Sequence, residues 1–300
     1  MRANFLPAIV VAAASFALFR CVYLRCRRPA IRAALAIVAL DLSVPAWLIV
    51  SNYVLMVPFE QWFVDLRSIP GFEISSGLTG ALLGVIFASG KLRPGRLNGP
   101  VLIVSSVTAA VLVTTPFISQ LYWAVDYRAL RDSWKDGVCV QSSSYTCIPA
   151  CIATLARLNG VRLTEPELAR EMGSTVRGTE VWYLKRALKA HGLEPRFLSL
   201  KSPRDAPVPS MLSVTLTGIS HVVVVLRKDA QGLTIAEPMI GRREYAWDVF
   251  RRCYRPDGSC VTIRRTSLQP SPRKRGCLYY PLLAEGGPGG GYSDSVHIPL

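Results

Sequence analysis

Long apolar segments fill the first 125 residues of this 300-residue chain and limit what that part can fold into. They run over about 4–24, 33–57, 74–90 and 100–125, and each is near the length that a helix needs to cross a bilayer. Half of all residues are apolar, which is too many for an ordinary soluble chain, and the excess lies in these segments. We therefore predict an all-α transmembrane domain of about four helices over residues 1–125.

The charges between the apolar segments predict their orientation. Five arginines follow the first segment and three basic residues follow the third, whereas the connection over residues 58–73 carries three acids and a lone Arg67. Basic connections stay in the cytoplasm. We therefore expect the 58–73 connection and the C-terminal half outside, on the extracytoplasmic face of a bacterial inner membrane.

Residues 1–24 also fit a second interpretation, as a signal peptide with a basic start and an apolar core. Three spans would then remain, and the C-terminal half would end in the cytoplasm. We favour four spans for two reasons. If residues 1–24 were a signal peptide, Arg20, Arg25, Arg27 and Arg28 would have to be exported across the membrane. In addition, no small-residue cleavage site precedes these arginines.

A cysteine at the start of a predicted helix dominates the C-terminal half. Residues 141–160 read QSSSYTCIPACIATLARLNG, so Cys147 opens an apolar-periodic segment that Gly160 ends. The free N–H groups and the dipole at a helix start favour a thiolate. Gln141 lies six residues earlier and can donate a hydrogen bond to the oxyanion that forms when the thiolate attacks an amide carbonyl.

A thiolate nucleophile also needs a base, and the chain has three histidines. His191 precedes a helix-ending glycine and His297 lies in the final tail, whereas His221 opens HVVVVL, which reads as a buried strand. We therefore take His221 as the base. Glu237 ends the strand that returns after the turn DAQG, from where its carboxylate can reach back and orient His221.

These residues, in this order and spacing, resemble the bacteriocin-processing double-glycine cysteine peptidases, a papain-like family. The similarity covers about residues 137–265. It implies that Cys147 is the nucleophile, that His221 is the base, that Glu237 orients the base and that Gln141 serves the oxyanion hole.

Two positions depart from the family pattern. The usual acid is Asp, and Glu237 is one methylene longer, which a small backbone shift can accommodate. The family usually has Gly after the cysteine, and Ile148 stands there, where it can crowd an approaching substrate carbonyl. The alternatives to a peptidase are therefore a catalytically weakened module that binds a peptide, or a membrane accessory to a separate exporter. Many relatives are fused to ATP-driven exporters, but this chain has no GxxxxGK[ST] phosphate loop.

The order of elements in the C-terminal half predicts an α+β, papain-like fold. After the Cys147 helix, TEPEL at 164–168 has the capping box of a helix start, and Thr179 is expected to cap a further helix that Gly192 ends. The periodicity then changes to that of strands. The predicted strands cover 196–200, 209–217, 221–227, 233–236 and 260–264, with a short helix over 245–252.

The predicted domain boundaries follow from these patterns. Residues 126–137 are a charged juxtamembrane link with a helix-like pattern, and 138–266 are the peptidase domain. Residues 267–300 are rich in Pro, Gly and Ser and are expected to be a disordered tail.

The remaining composition narrows the partners and cofactors. The net charge of +15 is scattered without aromatic interleaving, so we expect solvated faces and a lipid bilayer, and no nucleic acid. No Cys/His cluster has zinc spacing and no cofactor motif is present, so the expected ligand is a peptide or protein substrate. An oxidising compartment permits disulfides, for which the candidate thiols are Cys139, Cys253, Cys260 and Cys277, with Cys253 to Cys260 the favoured pair.

Overall fold

The computed structural model describes residues 5–55, 61–92 and 99–266. Four of its helical segments are long and apolar enough to cross a membrane. These segments are Leu6–Arg25, Pro29–Asn52, Phe72–Gly90 and Gly99–Tyr122. They correspond to the four predicted apolar spans, with ends that differ by a few residues.

Five α-helices make up the N-terminal part. They are α1 (Leu6–Arg25), α2 (Pro29–Leu55), α3 (Gln61–Arg67), α4 (Thr79–Leu92) and α5 (Gly99–Tyr122), and a 3₁₀ helix over Phe72–Leu78 leads into α4. Helix α1 packs along α4, which presents glycines to it: a Cβ at Gly80 would lie 2.1 Å from the carbonyl oxygen of Ala12. The two backbones therefore touch at this point.

The helix-like interpretation of residues 126–137 is wrong. That segment contains β1 (Ser133–Lys135), which pairs antiparallel with β2 (Val138–Val140). Between them, Asp136 and Gly137 have φ of +50° and +77°. An Asp-Gly pair with positive φ at both residues is typical of a two-residue hairpin turn, and this turn overrides the weak helical pattern of the charges.

Three helices follow, namely α6 (Cys147–Leu158), α7 (Glu165–Glu171) and α8 (Val181–Ala190). The capping box of α7 is confirmed, because the Glu167 N–H donates to the Thr164 hydroxyl at 3.3 Å and the Thr164 N–H donates to the Glu167 carboxylate at 3.1 Å. The expected Thr179 cap is wrong. Residue Glu180 occupies the N-cap of α8, and the Thr179 hydroxyl lies 2.6 Å from that of Ser174.

A six-stranded antiparallel sheet completes the domain, in the order β3-β8-β4-β5-β6-β7. Its strands are β3 (Leu193–Ser199), β4 (Ser210–Leu216), β5 (Ile219–Lys228), β6 (Gly232–Glu237), β7 (Gly241–Ala246) and β8 (Tyr254–Arg265), and α9 (Trp247–Cys253) connects the last two. The predicted α+β class is confirmed. Strand β7 was not predicted, and it shortens the predicted helix over 245–252 at its start.

One face of the sheet packs on α6 and α8, and the other packs on α9. Side chains such as Ile152, Leu155 and Trp182 are almost completely buried between helices α6 and α8 and the sheet. Burial of this kind stabilises each side chain by about 1.5–3 kcal/mol. The core therefore holds the start of α6 rigidly against the ends of β5 and β6.

Helix α3 belongs to the same core although it lies between the second and third membrane segments. Phe63 and Val64 are buried in the cluster formed by α6 and α8. Lys185 of α8 is paired with Asp65, and Arg186 donates to the carbonyl oxygen of Ile69 at 2.9 Å. The connection between the second and third apolar helices therefore packs against the α+β domain.

The favoured disulfide is wrong. Cys253 is an exposed free thiol at the end of α9, whereas Cys260 is a free thiol buried within β8, so the two side chains occupy different environments. Cys139 is also free and buried. Cys277, His297 and the predicted tail over 267–300 lie outside the described residues, and the predicted domain boundaries stay predictions.

Candidate active site

Cys147 is the first residue of α6, and its side chain is half-buried. Thr146 stands at the N-cap without a side-chain cap hydrogen bond, and Pro149, which has no N–H, lies in the first turn. The remaining N–H groups of this turn can therefore stabilise negative charge on the sulfur. The sequence prediction that a thiol opens this helix is confirmed.

His221 and Glu237 form a direct pair beside this thiol. Strands β5 and β6 are antiparallel neighbours, so the start of β5 and the end of β6 meet at one end of the sheet. His221 Nε2 lies 2.7 Å from Glu237 Oε1, and both residues are buried, with exposures of 7% and 1%. The Met239 N–H donates to the same oxygen at 3.2 Å. Glu237 is therefore held in place by a backbone bond as well as by the imidazole.

The pKa of His221 reflects both neighbours. Burial lowers it, but hydrogen bonds to Cys147 and Glu237 and their negative charges outweigh burial and raise the pKa to about 9. Because Nε2 faces Glu237, Nδ1 is the ring nitrogen available to the Cys147 sulfur. At neutral pH a pKa of about 9 keeps the His221 ring protonated.

Gln141 lies next to this group through its backbone. Its N–H donates to the carbonyl oxygen of Pro238 at 2.7 Å, which ties it to the turn that follows Glu237. Its side chain is half-buried, and among the described residues its Oε1 has no hydrogen-bond partner. The structure thus brings Cys147, His221 and Glu237 into one bonded series with Gln141 at its side. Their chemical roles stay predictions.

The residues that follow the thiol pack inward. Ile148 is half-buried and packs against the core. Cys151, one turn further along α6, is 1% exposed, and its Sγ donates to the Val222 carbonyl oxygen at 3.5 Å. Burial, then the charge of Cys147, raise the pKa of Cys151 well above its ordinary value. Cys151 is therefore a neutral core thiol.

Two neighbouring residues were missed by the sequence reasoning. Glu165 is fully buried and accepts the Ser142 N–H at 2.8 Å, next to Gln141. Glu165 belongs to the TEPEL motif, but that motif predicts only the helix cap formed by Thr164 and not a contact made by Glu165. Tyr254 lies behind Glu237: burial, then the charge of Glu237, raise the pKa of Tyr254. No sequence signal indicated Tyr254.

No group of three or more His, Cys, Asp or Glu side chains that could hold a metal occurs within residues 5–55, 61–92 and 99–266.

A family model described as "Peptidase C39 family" matches residues 135–267. An uncharacterized protein of Methanothermobacter thermautotrophicus is 30% identical over 128 residues, which are 43% of this chain and 88% of that protein. An uncharacterized protein of Methanothermobacter marburgensis is 31% identical over 125 residues, 42% of this chain and 86% of that protein.

Solved structures with a similar chain path are peptidase domains. A double glycine motif protease from the AMS/PCAT transporter, in complex with the leader peptide, is 18% identical with a TM-score of 0.39, over 43% of this chain and 91% of its own. The peptidase domain of Streptococcus ComA, described as a bi-functional ABC transporter involved in quorum sensing, is 19% identical with a TM-score of 0.38, over 43% of this chain and 98% of its own.

Proposed function

Since this chain belongs to the peptidase C39 family through residues 135–267, we propose that it is a membrane-anchored cysteine peptidase. The observation that carries the proposal is the bonded series of Cys147, His221 and Glu237, with the thiol at a helix start. A buried imidazole bonded to a thiol on one side and a carboxylate on the other is the arrangement that nucleophilic catalysis by sulfur requires.

The reaction follows from these contacts. The Cys147 thiolate attacks the substrate carbonyl carbon, and the carbonyl oxygen takes the negative charge, facing the Gln141 amide and the Cys147 N–H. The His221 imidazolium gives its proton to the leaving amine, and the C–N bond breaks to leave a thioester. The now neutral His221 takes a proton from water, whose oxygen attacks the thioester and restores the thiolate. Glu237 keeps the ring oriented through both steps.

The position of Ile148 supports an open site. Its side chain packs against the core, while Cys147 keeps part of its surface accessible. The part of Ile148 that packs on the core does not occupy the space through which a substrate carbonyl reaches the sulfur. Replacement of the family glycine at this position is therefore compatible with hydrolysis.

The placement of α3 supports the assignment of the third and fourth apolar helices as a pair of membrane crossings. Phe63 and Val64 of the connection between the second and third spans pack in the peptidase core, so this connection and the peptidase lie on one side. That relation requires two crossings between this connection and the peptidase, which the third and fourth spans supply. Because the other two connections are basic, we place the peptidase outside the cytoplasm.

A membrane-impermeant, thiol-directed peptide probe with a vinyl sulfone group tests both parts of the proposal on intact cells that make the full chain. We expect the probe to label the wild-type protein and to modify it at Cys147. The control Cys253→Ala removes an exposed thiol away from the site and keeps the labelling. The variant Cys147→Ala loses it.

Each other outcome contradicts a different part of the proposal. Labelling only after lysis of the cells contradicts the extracytoplasmic placement and leaves the chemistry standing. No labelling of the wild type under either condition contradicts the peptidase. If a Cys147→Ala strain behaves as the wild type, the chain acts by binding and not by hydrolysis.

The substrate class follows from the family resemblance. Because relatives cut after double glycines, peptides with Gly-Gly before the scissile bond are the first substrates to test. Small residues at these positions let an extended chain lie close to the sulfur at the end of the sheet.

A further inference from the structure

Glu165, the first residue of α7, is a fully buried carboxylate that the proposed mechanism does not use. Its Oε1 accepts the Ser142 N–H at 2.8 Å, and its Oε2 lies 3.0 Å from the same N–H and 2.9 Å from the Ser142 hydroxyl. A buried carboxylate is costly unless such bonds compensate it. These three contacts all end on Ser142, in the loop before α6.

That residue adjoins the proposed oxyanion donor. Gln141 is held on one side by its own N–H bond to Pro238 and on the other by the bond from Ser142 to Glu165. In the part of the chain that the structure describes, the side-chain Oε1 of Gln141 has no partner of its own. The backbone anchors therefore decide where the Gln141 amide lies.

The same carboxylate reaches the other end of the loop. Thr146, which directly precedes Cys147, is hydrogen-bonded to Glu165 through its side chain and is completely buried. The Thr146 hydroxyl also accepts the Ser143 N–H at 3.2 Å. Both ends of the stretch between the donor and the nucleophile are thus attached to one side chain of α7.

We propose that Glu165 is a positioning residue that sets the Gln141 donor at its distance from the Cys147 sulfur. This inference rests on the proposed peptidase activity. An oxyanion donor acts only when it lies about 2.7–3.1 Å from the developing charge. A misplacement of about 1 Å can cost about a hundredfold in rate. Glu165 itself contacts no reacting atom.

Steady-state kinetics of the full chain in detergent micelles test the inference, with a synthetic peptide ending in Gly-Gly-7-amido-4-methylcoumarin as substrate. We expect Glu165→Ala to lower kcat about tenfold to a hundredfold and to change KM less than about threefold. Glu165→Gln keeps one oxygen for the Ser142 N–H, so its kcat is expected to lie between those of Glu165→Ala and the wild type. Glu171→Ala removes an exposed carboxylate from the other end of α7, away from the loop and from the helix cap, and leaves kcat unchanged.

A double-mutant cycle separates positioning from a loss of structure. In the Gln141→Ala background, where the donor is already absent, Glu165→Ala should lower kcat by less than about threefold further. If Glu165→Ala lowers kcat by the same factor in the wild-type and in the Gln141→Ala background, the inference is overturned. So does a rate of Cys147 alkylation by iodoacetamide that falls in parallel with kcat, because alkylation forms no oxyanion.

Amide hydrogen exchange tests the contact without catalysis. The Ser142 N–H should exchange faster in Glu165→Ala than in wild type or Glu171→Ala, because its acceptor is gone. Unchanged exchange overturns the inference even if the substrate is cleaved. If the wild type cleaves nothing while exchange responds as expected, the proposed peptidase activity fails and the contact made by Glu165 stands.

Discussion

The apolar N-terminal helices, which we propose to span a membrane, and the α+β domain are held together in different ways. Along α1 and α4 the backbones touch at glycines: a Cβ at Gly84 would lie 2.5 Å from the carbonyl oxygen of Phe16, and Gly77 and Gly80 approach α1 as closely. In the α+β domain, large side chains such as Trp182 and Phe250 fill the space between layers. Apolar burial gains little inside a lipid environment, so helices there gain from close backbone packing. The α+β domain gains from removing large side chains from water.

The two regions also treat buried polar groups differently. The Ser15 hydroxyl donates to the Gly77 carbonyl oxygen at 3.2 Å and so joins α1 to the 3₁₀ helix before α4. This bond is neutral, as is the one from the Ser76 hydroxyl to the Val113 carbonyl oxygen of α5 at 3.1 Å. In the α+β domain, His221, Glu237 and Glu165 bring buried ionisable groups together. We infer that small residues maintain the bundle, and that charged pairs maintain the site.

The largest expected effect is on the acid of the site. Glu237→Ala should lower kcat about a hundredfold to ten-thousandfold, because His221 loses its orienting partner. Glu237→Asp keeps the carboxylate and should retain more activity. The measurement is kcat with a Gly-Gly peptide amide, together with circular dichroism to check the fold. A Glu237→Ala protein with wild-type kcat contradicts the dependence of the site on this pair.

A side chain inside the bundle should affect stability rather than chemistry. Gly80→Leu places atoms where the Ala12 carbonyl oxygen lies, and overpacking of this kind costs about 1–3 kcal/mol or more. Gly99→Leu is the control, because a Cβ at Gly99 meets no atom within 4 Å. The measurement is the midpoint of thermal unfolding in detergent. Equal midpoints for the two variants would mean that close packing does not stabilise the bundle.

The pair of His221 and Glu237 predicts that the free energy of unfolding depends on pH. Since the folded pKa of His221, about 9, lies above its ordinary value of 6.5, its stabilisation is complete below about pH 6.5 and is lost as the pH rises through about 9. The full chain should therefore lose stability between these values, by up to about 3 kcal/mol. His221→Gln should lack this component. A wild type and a His221→Gln variant with parallel pH profiles contradict the prediction.

The smallest expected effect is a change in the free energy of unfolding when Arg186 of α8 loses its contacts with the end of α3 and the residues after it. Arg186 donates to the carbonyl oxygens of Arg67 and Ile69 at 3.0 and 2.9 Å, so Arg186→Ala should cost about 1–2 kcal/mol. Lys189→Ala, one turn away and half exposed, should cost less. Unfolding in denaturant compares the two variants. If Arg186→Ala also abolishes hydrolysis, the site depends on the membrane region and the two regions are not independent.

Local patterns predicted the elements best where one signal acted alone. The Thr164 capping box and the strand that begins near His221 needed only neighbouring residues, and both are present. The link over 126–137 and the Thr179 cap failed because a nearby turn or hydroxyl competed for the same backbone or side chain. Strand β7 was missed because its alternation is weak, and its pairing with β6 holds it in the sheet.

By itself, the sequence determined that four apolar segments precede an α+β domain, and that a helix-opening Cys147 is followed by a strand with His221 and a turn after Glu237. These are local properties of spacing and hydropathy, which act over one helix or one hairpin. Only the tertiary structure decided that Glu165 reaches Ser142 across 23 positions, and that Arg186 reaches Ile69 across 117. Such contacts depend on how packed layers meet, because burial decides which polar groups must find each other.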